Sequence, residues 1–264
     1  MKKHILFGFI FCLCLKSYSQ DSKLEFGLYN IGLGGVVGGV GALINKSKDE
    51  KSLKAFGNGF WKGAIGGGMI HLSKISVGEI AIKEDYAYSW LAKTTNSLGT
   101  SFVENGTLNR PLLSEFHINV FGFNRIEFST QEKFQVRYKI MPVAFLLSSY
   151  VAVTSKFEFE KTIASGELVF SSSKPLLSDY RGYTLGTTIV MHSDFVHSKS
   201  TFSHEVIHVY QYYDYNFVNS FLHKPVNSSK FLSRFDFLYY DFQGFVLNSL
   251  YLIEKNKDKY YDNF

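Results

Sequence analysis

The sequence predicts an α+β fold with an N-terminal glycine-rich helical hairpin, a small antiparallel sheet and C-terminal helices. Two apolar, glycine-rich segments, residues 27–44 and 56–72, flank a charged linker, as expected of two paired helices. Apolar and charged residues then alternate between Arg125 and Ile140, which is the pattern of half-buried strands. Further along, His204 and His208 stand four residues apart, the spacing that places two side chains on one helix face.

The first 19 residues have the pattern of a secretory signal peptide. Basic residues precede an apolar segment from Ile5 to Leu15, and Ser17 and Ser19 supply the small side chains needed for cleavage before Gln20. We therefore expect an exported protein, located in the periplasm, in the outer membrane or outside the cell. The remaining chain is expected to form the hairpin over residues 20–80 and an α+β domain over residues 81–264.

Removal of the signal changes the cysteine content and the charge. Cys12 and Cys14 both lie inside it, so a metal site in the mature protein has to be built from histidines and carboxylates. The signal also contains three lysines, so the formal net charge of +5 falls to +2. That value gives no reason to expect a nucleic-acid partner.

The glycine-rich pair admits two interpretations. Gly59, Gly63 and Gly67 are spaced four apart, and small residues at this spacing let helices approach closely, as they do inside membranes. Membrane association through residues 27–72 is therefore one expectation. Lys62 interrupts the second segment, which favours a tightly packed hairpin in water.

The middle of the chain is expected to mix helix and strand. A helix is predicted over 90–105, and a β-hairpin with one wet face over 125–140. The apolar stretch 141–153 is compatible with a buried strand or a short helix. A further pair of strands is predicted at 156–160 and 166–170.

The motif His204-Glu205-Val206-Ile207-His208 is the main candidate for chemistry. A β-branched strand is predicted over 183–191, and hydroxyl side chains within 197–201 are suited to cap a helix that begins just before His204. On that helix both imidazoles can reach one metal ion, with Glu205 beside them as a general base. Gln211 and Tyr215 are expected on the same stripe.

Residues 183–216 resemble the active-site region of zincin metallopeptidases, in particular bacterial zincin-like domains with a glutamine three residues after the second histidine. The resemblance implies that His204 and His208 bind Zn²⁺ and that Glu205 activates water. It also implies that an edge strand, here Thr187–Met191, binds extended substrate by strand addition. The predicted C-terminal helices are zincin-like in this sense.

A zincin needs a third protein ligand, and the sequence departs from the family there. The position six residues past His208 is Asp214, not histidine, and no glutamate in the family context follows. His192 and His197 are weaker candidates. The predicted next helix, 231–254, and the residues after it offer only the acidic side chains Asp236, Asp241, Glu254, Asp258 and Asp262. Because residues 257–264 do not resemble a finished terminus, a glutamate shortly after Phe264 is a further hypothesis.

Together these features predict a zinc-dependent peptidase of the cell envelope, with a peptide or protein as substrate. Glu205 would take a proton from water and pass it to the leaving amine. One of Tyr212, Tyr213 and Tyr215 could donate to the oxygen that develops charge. The alternative is a non-catalytic envelope or membrane-associated protein that retains a degenerate zincin scaffold.

Overall fold

The structure is a computed structural model that describes residues 23–131, 133–173, 181–244 and 246. It is a mixed α+β fold, which confirms the predicted class. The helices are α1 (Lys23–Asn45), α2 (Ser52–Ile82), α3 (Ala87–Thr107), α4 (Pro142–Thr154), α5 (Phe159–Ser165), α6 (Lys199–Tyr213) and α7 (Phe217–Ser228). The strands are β1 (Glu115–Val120), β2 (Asn124–Ser129), β3 (Gln135–Ile140), β4 (Lys156–Phe157), β5 (Leu168–Ser172), β6 (Gly182–Leu185) and β7 (Thr188–His192). The signal peptide and residues 247–264 lie outside the described residues.

Helices α1 and α2 form the predicted hairpin, and glycines make the contact between them. A Cβ atom at Gly63 would collide with the backbone oxygen of Gly34, and one at Gly38 would collide with that of Gly59. The two backbones therefore touch, because neither helix carries a side chain at these points. The predicted glycine packing is confirmed.

Helix α3 lies against the hairpin and is polar although it is mostly buried. Gly66 of α2 and Gly99 of α3 meet backbone to backbone. On other sides of α3, Lys93 forms an ion pair with Glu167, 2.6 Å between Nζ and Oε1, and Asn96 donates to Asp214. The predicted helix over 90–105 is confirmed, and it is longer than expected by three residues at the start and two at the end.

Strands β1, β2 and β3 form a three-stranded antiparallel sheet, in which Ile126 pairs with Tyr138 as the alternation predicted. The predicted wet face is wrong. Arg125 and Glu127 are buried, whereas Val136 is 56 % exposed and Tyr138 is 54 % exposed. The side of the sheet that carries Arg125 and Glu127 faces the protein interior, where these charges form ion pairs.

The second sheet has four strands in the order β4, β5, β7, β6. The apolar stretch 141–153 is a helix, α4, and not a strand. The predicted strand pair at 156–160 and 166–170 is confirmed only in part, since β4 covers two residues and α5 begins at Phe159.

The predicted single strand over 183–191 is wrong. The chain turns at Gly186, whose φ of +62° favours glycine, and β6 and β7 pair as a tight antiparallel hairpin. Helix α6 packs on this hairpin and on α2. Its residues Val206 and Val209 share a buried cluster with Met191 and Val77, so the site helix is fixed by the main core.

The region after α6 also differs from the prediction of a helix over 231–254. Helix α7 lies earlier, residues 232–235 form a single 3-10 turn, and Leu238 bridges to Ile140 of β3. Residue 245 and residues 247–264 lie outside the described residues, so the rest of that predicted helix stays a prediction.

Candidate metal centre

Helix α6 starts where the hydroxyl-rich segment predicts. Ser198 is the N-cap residue, and its Oγ accepts a hydrogen bond from the backbone N–H of Thr201 at 3.2 Å. Such a cap satisfies one of the backbone donors left free at a helix start. It fixes where the helix begins, with His204 and His208 about two and three turns further along.

His204 and His208 converge, as their spacing predicts. Their Nε2 atoms lie 3.2 Å apart, and the ring planes are nearly perpendicular at 86°. His204 is exposed and His208 is half-buried, so the pair lies at the surface of the helix. A metal ion could reach it from solvent.

The separation of these two nitrogens fits a shared zinc ion. Two imidazole nitrogens each about 2.0–2.1 Å from a tetrahedral zinc are about 3.3 Å apart. The observed 3.2 Å is close to that value, and in the structure the two nitrogens are within hydrogen-bond distance of each other. The residues present therefore fit two positions of a zinc coordination sphere.

Gln211 orients the second ring. The Nδ1–H of His208 donates to Oε1 of Gln211 at 2.9 Å, which confirms that both lie on the predicted stripe. With its proton on Nδ1, the ring presents the lone pair of Nε2 towards His204. Metal-binding histidines in proteins almost always have a partner of this kind on the other nitrogen.

Glu205 follows His204 on α6 and lies between this helix and β6. It is 4 % exposed, and the hydroxyl of Thr184 on β6 donates to its Oε2 at 2.8 Å. Burial raises the pKa of Glu205 to about 7, while the hydrogen bond from Thr184 acts in the opposite direction. A carboxylate with a pKa near neutrality is suited to take up and release a proton.

Within the part of the chain that the structure describes, no third ligand joins this pair. Among the described residues, no group of three or more histidine, cysteine or acidic side chains has the arrangement of a metal site. His192 lies at the end of β7 with its Nδ1 near the backbone N–H of Asp194, and His197 lies in the loop before α6.

The acidic candidates that the structure describes have other partners. Asp241 accepts hydrogen bonds from the backbone N–H groups of Val143 and Ala144 at the start of α4. Asp236 pairs with Lys139, and Asp214 pairs with Lys74. The remaining candidates, Glu254, Asp258 and Asp262, lie outside the described residues.

The resemblance implies that the segment Thr187–Met191 is an edge strand that binds substrate, but the structure gives it neighbours on both sides. β7, which contains most of Thr187–Met191, is bonded to β5 on one side and to β6 on the other, so both its edges are occupied. The expectation of a substrate-binding edge at 187–191 is therefore wrong. In the described part of the sheet the outer strand on this side is β6, whose Thr184 forms a hydrogen bond with Glu205 of α6.

The tyrosines that follow the motif have structural partners. Tyr212 donates to the carboxylate of Asp241 at 3.0 Å, and Tyr213 donates to the backbone oxygen of Gly122 at 2.7 Å. Tyr215 lies beyond the helix end and donates to Asn30 of α1. Its predicted place on the polar stripe is wrong, and the three phenols bind core and hairpin groups.

A second polar cluster, which sequence reasoning missed, lies under the three-stranded sheet. Arg125 forms ion pairs with Glu104 and Glu127 at 2.8 Å each, and its guanidinium stacks 3.7 Å from the ring centre of Tyr239. His117 lies beside Glu104. Arg125 and Glu127 alternate with apolar residues in the same way as charged residues on a solvent-exposed strand face do. Their burial is evident only from the partners that distant segments supply.

This polar cluster forms one wall of an open cavity of about 510 Å³. The opposite wall comes from α7 and the turn after it, including Asn219, His223 and Tyr240. Most of the charges that line the cavity are already paired with one another, such as Arg137 with Glu115.

Comparison of the chain with protein-family models, with curated proteins and with solved structures found no match.

Proposed function

We propose that this protein is a zinc-dependent peptidase of the cell envelope, in which His204 and His208 hold Zn²⁺ and Glu205 is the general base. The observation that supports this most strongly is the 3.2 Å separation of the two Nε2 atoms. Gln211 gives further support, because its contact with His208 fixes the tautomer of that ring. Two histidines that lie together by chance would not need such a partner, whereas metal-binding histidines usually have one.

The chain's own groups have distinct tasks in this proposal. When bound, zinc would lower the pKa of water and polarise a carbonyl group. Glu205 takes the proton, because its pKa of about 7 leaves both protonation states accessible near neutral pH. Thr184 holds the carboxylate against β6, and Glu205 then returns the proton to the leaving amine.

β6 is the element best placed to bind an extended peptide. It is the outer strand of the four-stranded sheet as described, and its residue Thr184 contacts the proposed base directly. A peptide added alongside β6 would bind through backbone hydrogen bonds and run close to Glu205. We therefore expect recognition to depend on an extended backbone more than on particular side chains.

A second candidate is favoured by one observation. Asp236 and Asp241, the acidic candidates in the described part of the chain, have other partners, and so does Asp214, which stands at the position of the family's third histidine. A protein without a third ligand would be a non-catalytic envelope protein on a degenerate zincin scaffold.

The two candidates are separated by turnover of a quenched fluorescent peptide library with zinc-loaded mature protein. The enzyme proposal expects Glu205→Gln to retain zinc and to lose at least about 100-fold in kcat/KM. The exposed Glu84→Gln is the matched control and should be unchanged. Absence of turnover in wild type with zinc bound supports the scaffold, and equal turnover in wild type and Glu205→Gln removes the proposed role of Glu205.

A further inference from the structure

The α1–α2 hairpin has its small residues inside and its large apolar residues outside. Glycines fill the contact between the helices, while Leu28, Trp61, Ile65, Leu72 and Ile75 are all at least two-fifths exposed. A helical hairpin in water is stabilised by the reverse arrangement, in which large apolar side chains face each other. Close backbone packing with apolar side chains outside is the arrangement that suits helices in lipid.

The two lysines that break the apolar pattern of α2 do not face outward. Nζ of Lys62 donates to the backbone oxygen of Arg110 at 2.6 Å. Lys74 forms an ion pair with Asp214 at 3.1 Å, and its side chain is only 10 % exposed. Both side chains are therefore directed towards the rest of the protein. Lys62 interrupts the apolar segment in the sequence, but its charge is not on the outer face of the hairpin.

The charge-free outer band has the length of a bilayer core. On α2 it runs from Ala55 to Gly78 with no charge other than the two inward lysines, which is roughly 36 Å at 1.5 Å per residue. The hydrocarbon core of a bilayer is about 30 Å thick. Of the described helices, α1 alone is apolar and long enough to cross by composition, and half of its apolar window is buried against the protein.

Charged residues mark both ends of this band. The loop between the helices contains Lys46, Lys48, Asp49, Glu50 and Lys51. Towards the far end, α1 carries Glu25 in its first turn and α2 is followed by Lys83, Glu84 and Asp85. A contact with a second protein copy would not require charges to be grouped towards the two ends of the apolar band. A membrane does require it.

From these observations we infer that the outer face of the α1–α2 hairpin lies in the hydrocarbon of a lipid bilayer. The hairpin is tied to the site helix, since Lys74 pairs with Asp214 at the end of α6 and Tyr215 donates to Asn30 of α1. The candidate metal centre is therefore held at a fixed distance from the lipid. This inference does not depend on the proposed peptidase activity.

The test uses the full mature chain, dispersed in detergent and returned to phosphatidylcholine vesicles by detergent removal. Flotation through a density gradient separates vesicle-bound from aggregated protein. Ile65→Glu places a charge in the middle of the outer band, and Ile163→Glu places the same charge on α5 at a residue of similar exposure, 50 % against 44 %. We expect wild type and Ile163→Glu to float equally and Ile65→Glu to lose at least tenfold in the floated fraction.

A second measurement covers the case in which Ile65→Glu does not fold. The chain has two tryptophans, Trp61 and Trp90, so Trp90→Phe leaves Trp61 as the single probe on the outer face. Vesicles with brominated acyl chains should quench its fluorescence. Absence of quenching, equal flotation of both glutamate variants, or a vesicle-free dimer that Ile65→Glu converts to monomer would each overturn the inference.

Discussion

The Nδ1 atom of His208 lies 2.9 Å from Oε1 of Gln211, one turn further along the same helix. Because an amide oxygen only accepts, this contact places the imidazole proton on Nδ1 and leaves Nε2 able to bind a metal. The contact thus selects the tautomer that the 3.2 Å pairing with His204 requires.

Replacement of Gln211 therefore tests whether that contact serves metal binding. Gln211→Ala should weaken zinc binding about 10- to 100-fold, because the ring of His208 loses its orientation and its proton acceptor. Gln211→Glu keeps an acceptor and should retain zinc affinity within about threefold of wild type or increase it. Competition with a chromophoric chelator measures both constants, and an unchanged affinity in Gln211→Ala would contradict the assigned role.

The glycine contact between α1 and α2 gives a matched pair of substitutions on one helix. Gly63→Ala should destabilise the protein by about 1–3 kcal/mol, since the new methyl group meets the backbone of Gly34. Gly57 has open space around its Cα, so Gly57→Ala should stabilise by up to about 1 kcal/mol through helix propensity. Thermal unfolding of both variants in one detergent measures the difference. Equal shifts would show that the helices do not touch at Gly63.

Loss of one partner should destabilise the protein far more at the buried pair of Lys93 with Glu167 than at a pair whose lysine is exposed to solvent. Lys93→Met leaves the carboxylate of Glu167 buried without its partner, at a cost of about 3–5 kcal/mol. Lys93→Met with Glu167→Leu should recover most of that loss. The control is the pair of Lys156 with Glu158, in which the lysine is 81 % exposed and the glutamate keeps Lys161 as a second partner, so Lys156→Met should cost under about 1 kcal/mol. Denaturant unfolding measures the free energy of unfolding of each variant. If Lys93→Met alone is as stable as Lys93→Met with Glu167→Leu, the predicted cost of an unpaired Glu167 is contradicted.

The polar cluster under the three-stranded sheet predicts loss of stability in acid. Burial, together with the charge of Arg125, lowers the pKa of His117 from 6.5 to about 4. The folded state therefore keeps this ring neutral while the unfolded chain takes up a proton, and stability should fall as the pH drops from about 6.5 to about 4.

Glu104 extends the same effect to lower pH. Burial opposes its ionisation, but Arg125, His117 and a hydrogen bond from Tyr239 outweigh burial and lower the pKa from 4.5 to about 2. Its contribution is present above pH 4.5 and is lost as the pH falls towards 2. Unfolding midpoints between pH 7 and 4 for wild type and His117→Gln check the first step. An equally steep decline in both proteins would show that His117 does not cause it.

The sequence predicted those parts of the fold whose causes are local. The cap at Ser198 and the apolar spacing of Val206 and Val209 are enough to define α6, and the four-residue spacing of His204 and His208 is enough to predict their convergence. Glycines at helical spacing likewise predicted the α1–α2 contact.

The parts that failed depend on distant partners or on single turns. Arg125 and Glu127 are buried because Glu104 and Tyr239 meet them from remote segments, which no alternation pattern reveals. β-branched residues occur on both sides of Gly186 within 183–191, so the composition of this segment predicts one strand and does not reveal the turn. Helix α7 contains Pro225, a residue that argues against a helix at the sequence level.

Metal analysis of the mature protein, purified without chelators and supplied with equimolar zinc, shows whether His204 and His208 hold the ion. We expect about one zinc per chain in wild type and in Glu205→Gln, and less than about a tenth of that in His204→Ala and in His208→Ala. His192→Ala, a histidine at the end of β7, should bind as wild type does. Wild type without bound zinc, or equal zinc in wild type and His204→Ala, would contradict this expectation.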